Sequence, residues 1–401
     1  MRNIPLMSLA DIAESVRYGY TASASDSEIG PKFLRITDIV PPQIDWANVP
    51  YCEIDEKNLA KFSIRPGDIV IARTGATVGY AKLIRKNEPS VFASYLVRIR
   101  VDPEKADPGY VGRIVESEAY KCFVLSRVGG AAQPNANAKV LSSFRLPIPG
   151  KATQHRIASI LSAYDDLIEN NRRRIQLLEQ AARLLYREWF VHLRFPGHEH
   201  VSITDGVPEG GKQSTVSGLG KIVTGKTPST KIPENFGGNI PFVKTPDMHR
   251  SRVIVETEEF LSERGANTQA NKTLPVGSIL VACIGARLGV VSITCKPCQT
   301  NQQINAVIPS HDHYRYYSLF ALIDIKPRLE AMGGGATMPN VNKSKFASIP
   351  ILIPSQILLQ EFQESASYTF QQIQLLHQQN VALTQALDLL LPRLMNGEVA
   401  V

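Results

Sequence analysis

Two stretches of the chain place apolar residues alternately four and three apart. In the first these are Ile157, Leu161, Tyr164, Ile168, Asn171, Ile175, Leu178, Ala182, Leu185 and Trp189. In the second they are Phe362, Ala366, Thr369, Ile373, Leu376, Asn380, Leu383, Leu387 and Leu390, at an offset of 205 from the first. This spacing, kept over more than three heptads, predicts the seam of a coiled coil. The first helix should run from Gln154 to Arg194, ~60 Å at 1.5 Å per residue, with Pro196 ending it and Pro392 ending the second. A helix that long outgrows a domain of about 150 residues and calls for a partner along its length. The competing expectation is that each helix packs only on its own globular domain. Net charge is +2 over 151–200 and −3 over 351–401, which favours pairing weakly. Asn171 and Asn380 are single polar seam positions, of the kind that fix register.

Ahead of each helix lies a globular stretch, and the two are copies. Asp68-Ile69-Val70-Ile71-Ala72 follows Pro66-Gly67 and precedes Gly75 and Gly79; Ser278-Ile279-Leu280-Val281-Ala282 follows Pro275 and Gly277 and precedes Gly285 and Gly289. Each reads as a buried strand leading through a tight loop into another, Tyr80–Ile84 or Val290–Thr294. Gly19-Tyr20-Thr21 matches Gly225-Lys226-Thr227, and Phe33 and Asp38 match Phe242 and Asp247. The segment 130–137 matches 335–342. The blocks keep their order and the offset drifts only between 205 and 210, as expected for one duplicated domain with small loop insertions. Pro108–Val124 and His313–Leu329 read as helices. Strands and helices without strict alternation give an α+β class. The expected plan is two tandem α+β domains, 1–150 and 221–354, with helical segments 151–195 and 355–401 forming an antiparallel coiled coil. Residues 196–220, polar and Gly-rich, read as a linker.

Composition changes this picture little. The chain has 401 residues, 43% hydrophobic and 20% charged, with net charge +7. The globular copies carry the excess, +3 over 1–150 and +5 over 201–350, which permits a polyanionic partner. No apolar run reaches the ~18 residues of a membrane span, and the start lacks a signal-peptide pattern. Five scattered cysteines point to a reducing, cytoplasmic setting rather than a disulfide framework.

Several motifs suggest chemistry. Residues 220–227 fit the phosphate-loop string G-x-x-x-x-G-K-T, but a Gly/Ser/Thr stretch precedes them and Pro228 follows, where a strand and a helix are needed. Cys295-x-x-Cys298, with Cys283 upstream, lacks a fourth ligand at zinc-finger spacing, so buried inert thiols are expected. No nucleophile-base arrangement or carboxylate pair recurs in both copies. What recurs is a set of side chains able to read base edges or phosphates in the loops after matched strands. These are Arg35, Thr37, Arg73, Thr74 and Thr77 in the first copy. In the second they are Lys244, His249, Arg250, Arg252 and Arg287, with Gln302 and Gln303 in a polar cluster opposite Ala93-Ser94-Tyr95.

The whole plan resembles the specificity subunit of type I restriction-modification systems. The resemblance rests on the duplicated layout and on Gly-Lys-Thr-Pro-Ser (225–229), Gly-Asp-Ile-Val-Ile-Ala-Arg-Thr-Gly (67–75) and Met-Pro-Asn-Val-Asn (338–342). It also rests on Gln-His-Arg-Ile (154–157), Leu-Ile-Glu-Asn-Asn (167–171) and the closing Leu-Leu-Pro-Arg-Leu-Met-Asn-Gly-Glu-Val (390–399). Gln133 stands where such proteins often carry Met or Thr. The resemblance implies that each globular copy is a target recognition domain reading one half of a bipartite site in double-stranded DNA. The helices would set the spacing and dock two methyltransferase (M) subunits. The chain would bind no cofactor and do no chemistry. S-adenosylmethionine would act on the M subunits, and ATP with Mg on restriction endonuclease (R) subunits. A coiled-coil protein-interaction scaffold without a DNA role, and a nucleotide-binding protein using residues 220–227, are the alternatives.

Overall fold

In a computed structural model of the chain, residues 4–128, 134–285, 287–333, 339–395 and 398 are described. Matched blocks in 130–133 and 335–338, and the closing 396–397 and 399, lie outside them. The chain forms two compact units, residues 1–166 with 384–401 and residues 167–383.

The first unit is built on an antiparallel sheet ordered Ala13–Tyr18, Leu96–Val101, Asp68–Ala72, Ala81–Leu83. Asp68–Ala72 is buried throughout, which is why its apolar run is continuous rather than alternating. Ile69 and Ile71 face one core with Tyr110, Ile114 and Leu161, while Val70 and Ala72 face another with Leu34, Trp46 and Phe92. Lys32–Leu34 pairs in parallel with Ser90–Phe92, and Leu6–Ser8 pairs with Arg145–Pro147.

The second unit repeats this order with Gly220–Thr224, Ile304–Pro309, Ile279–Ala282 and Val291–Thr294, and adds Val253–Ile254 at the edge. Phe236–Val243 pairs in parallel with Gln299–Thr300. Lys212–Thr215 pairs with Pro350–Ile353. That last pairing corrects the linker reading of 196–220. Residues 212–215 are the counterpart of the first strand of the first unit. Upstream, Ile203–Thr204 and Val207–Pro208 form a hairpin whose turn residues Asp205 and Gly206 have φ of 50° and 74°, the left-handed values a two-residue hairpin turn requires.

The other helices are shorter than expected. Pro108–Val115 and Glu118–Arg127 are separate, with Ser117 as N-cap of the second. Arg315–Asp324 and Lys326–Gly333 replace the single run.

The long helices are Lys151–Tyr186, continued by a π turn over Arg187–Val191, and Gln356–Met395. Pro392 lies inside the second rather than ending it. Each helix passes from one unit into the other along its length. Ile157 and Leu161 join the first unit's core with Leu394, and Leu387 and Leu390 pack against it. Ile175, Ala182 and Tyr186 join the second unit's core with Phe362, Ile373 and Leu376, and Leu178 and Leu185 pack against it. Ile168 is buried and Leu383 half-buried. Within the second unit the helices run antiparallel. Asn171 Nδ2 donates to Asn380 Oδ1 (3.1 Å) at one end, and Tyr186 meets Phe362 at the other, with ring centroids 6.2 Å apart. One seam position shifts: Phe370, stacked on Tyr316, is buried where Thr369 was expected. No helix among the described residues is long and apolar enough to cross a membrane.

Candidate nucleic-acid interface

The matched loops meet at one edge of each unit, held by the same backbone bonds in both. In the first unit Gly75 N donates to Pro134 O (3.0 Å) and Ala136 N to Arg73 O (2.8 Å). In the second, Gly285 N donates to Pro339 O (3.0 Å) and Val341 N to Cys283 O (2.8 Å). Gly19 N reaches Leu96 O and Gly225 N reaches Ile304 O. Arg73 N reaches Tyr95 O and Cys283 N reaches Gln303 O. Gly75 and Gly285 have φ of 77° and 114°, which is why glycine recurs there. Asn137 and Asn342 each cap the next short helix, accepting from the third N–H at 2.9 Å.

These bonds define equivalent slots. Tyr18, Arg73 and Tyr95 of the first unit correspond to Thr224, Cys283 and Gln303 of the second. Arg73 lies over the Tyr18 ring, 4.8 Å from its centroid, and its Nη2 donates to Asn135 Oδ1 at 3.3 Å. Tyr18 and Tyr95 are 42% and 60% exposed, so both rings reach solvent at this loop. In the second unit the slots hold an amide network. Gln303 Oε1 accepts from Asn301 Nδ2 (3.0 Å) and Thr245 Oγ1 (3.2 Å), and Thr224 donates to Asn305 (2.7 Å). Nearby, Thr227 donates to Gln302 (2.7 Å).

The other sequence-selected residues divide into groups. Arg35 and Lys244 stand at matching helix starts, their N–H groups donating to Asp38 and Asp247, each at 2.8 Å. Arg35 pairs with Asp38 (3.1 Å), Lys244 with Glu259 and Arg250 with Glu258. The Arg250–Glu258 pair is more than half exposed, so it contributes little to stability. Thr37 is exposed beside Asp38. Thr74 bridges to Asn135, and Thr77 O accepts from Tyr80 N. His249 and Arg287 come together. Burial and then the Arg287 charge push the His249 imidazole below its ordinary pKa, so it stays neutral near pH 7. Arg252 does not join this edge cluster. It pairs with Glu179 on the first long helix (3.3 Å), and its carbonyl accepts from Ile293 N. Tyr18 and Asn135 were not selected from sequence. The only signal was their position beside the matched Gly19 and Pro134.

The phosphate-loop string is put to a different use. Gly220–Thr224 is a strand, and Gly225 N and Lys226 N donate to Ile304 O and Thr300 O. Those amides are committed to backbone carbonyls and cannot cradle a phosphate. Cys283 and Cys298 are buried, and burial raises their thiols to about 11 and about 12. Cys295 Sγ contacts Ile254 O instead.

Residues 5–180 and 208–384 each match the Type I restriction modification DNA specificity domain family. The type I restriction enzyme HindI specificity subunit of Haemophilus influenzae is 31% identical over 420 residues, covering 87% of this chain and 91% of that protein. The MjaIX specificity subunit of Methanocaldococcus jannaschii is 25% identical over 377 residues, covering 89% and 85%. The S subunit of a type I restriction-modification system from M. genitalium has the same fold, with a TM-score of 0.58, 16% identity and coverage of 98% and 97%.

Proposed function

This chain belongs to the type I restriction modification DNA specificity family, and from that premise we propose that each unit reads one half of a split, asymmetric site in double-stranded DNA. The observation that carries the reading is the edge just described. One backbone is held by the same hydrogen bonds in both copies, while the side chains it presents differ. Such a design gives two readers of equal shape and unequal preference. Phosphate contacts from exposed lysines and arginines supply sequence-independent affinity, and side chains at base edges supply specificity. The paired long helices fix the interval between half-sites and dock two M subunits, and R subunits join that complex. The chain itself recognises and positions, while methyl transfer from S-adenosylmethionine and ATP-dependent cleavage belong to its partners.

The test is a methylation map. The full chain is co-expressed with its neighbouring M subunit in a methylation-free host, and modified bases are sequenced. A split adenine-methylated motif that disappears without this chain supports the reading. A stable complex that methylates no defined motif rejects it. Affinity of the complex for its site should also fall steeply with salt; a salt-insensitive association would indicate a protein-binding scaffold instead.

A further inference from the structure

Resting on the half-site reading, we infer that Arg73 is a specificity-determining residue of the first unit and reads a guanine in the major groove of its half-site.

Four observations place it. The backbone of Arg73 is pinned on both sides, through its N–H to Tyr95 O (3.0 Å) and its carbonyl from Ala136 N (2.8 Å). Its guanidinium is held over the Tyr18 ring and tied at Nη2 to Asn135. Among the described residues no carboxylate pairs with it, unlike Arg35, Lys244, Arg250 and Arg252. Its Nε is buried without a hydrogen-bond partner, so the donors left for a ligand are those at the outer end of the group. A flat fork of donors, fixed in direction before binding, matches the paired O6 and N7 acceptors that guanine alone presents in the major groove. Holding it in advance lowers the ordering cost of binding.

The second unit separates base reading from a phosphate clamp. Every half-site has phosphates, so a clamp built into this fold would keep its cation in both copies. The equivalent slot instead holds Cys283, buried at 1% exposure, flanked by Gln303 and Thr224 in place of the two tyrosines. The cation is a property of one reader and not of the fold.

The experiment maps methylated motifs made by the intact complex with wild-type chain, Arg73→Ala and Arg73→Lys. The expected result is that Arg73→Ala loses discrimination at one guanine position of the first half-site by about 10- to 100-fold, with the second half-site read as before. The intact second half-site shows that the complex has assembled. Arg73→Lys keeps the charge and the fold, and is expected to relax the same position. A wild-type motif in both variants overturns the proposal. So does an unchanged motif methylated more weakly at every site, since that indicates a point-charge contact to the backbone. Failure of the half-site reading itself looks different: the wild-type chain then yields no split motif at all.

Discussion

The two units agree in the strands of their central sheets and differ in the side chains their matched loops carry. Ile69 and Ile279 occupy equivalent places in the sheets of their own units, each fully buried between two neighbouring strands. In the loops beyond those strands, the tyrosine–arginine–tyrosine slots of the first unit correspond to a threonine–thiol–amide set in the second. Packing punishes change in the interior, because a lost methyl leaves a cavity. Nothing comparable restrains the rim of an exposed loop. A duplicated fold can therefore keep one framework and acquire two recognition surfaces.

The largest effect should come from the framework. Ile69→Ala and Ile279→Ala should each cost about 2–5 kcal/mol, read by hydrogen exchange of the sheet in the altered unit, because a two-unit chain need not unfold in one step. Both substitutions should be strongly destabilising; tolerance in one unit alone would break the equivalence.

A smaller effect tests where the repeat is imperfect. Asn171 pairs with Asn380, yet its repeat counterpart is Leu376, so the polar layer has no symmetric twin. Asn171→Leu should destabilise the second unit by about 1–3 kcal/mol through the lost partner of a polar seam residue. Asn171→Leu with Asn380→Leu should restore most of it. Denaturant titration of the single and double variants distinguishes the two outcomes, and a stabilised single variant would contradict the pairing.

Next come the matched caps. Asn137→Ala and Asn342→Ala should each lose about 1 kcal/mol, measured by thermal unfolding, with methylation specificity retained. A large cost at one cap only would mean that the two edges are not held alike.

The smallest effect is chemical. Burial holds the Cys283 and Cys298 thiols near 11 and 12, so little thiolate exists at pH 8. Alkylation of the native chain should label exposed Cys122 and spare both, as mass spectrometry would show. Their protection should persist as pH rises through 9 and give way only on unfolding. Rapid labelling of Cys283 would mean that its slot is open and the contrast with Arg73 overstated.

Sequence alone determined the duplication, the two long helices with most of their seams, the buried central strands and the glycine turns. These features are local: periodicity of three and four, apolar runs between turns and left-handed glycines are written in neighbouring residues. The family resemblance was equally legible, since its motifs are short and recur in order. Tertiary structure decided the rest. Lys212–Thr215 is polar and became a strand because Pro350–Ile353, far along the chain, accepts it. The long helices are shared between two cores because the seam of each passes from one core into the other along its length. Most basic residues selected from sequence turned out to hold carboxylates, and only Arg73 was found braced by Tyr18 and Asn135. Arg35–Asp38 is a local pair, but Tyr18, Arg73 and Asn135 are distant in sequence, so no local pattern encodes their grouping; it exists only once the sheet has brought its loops together.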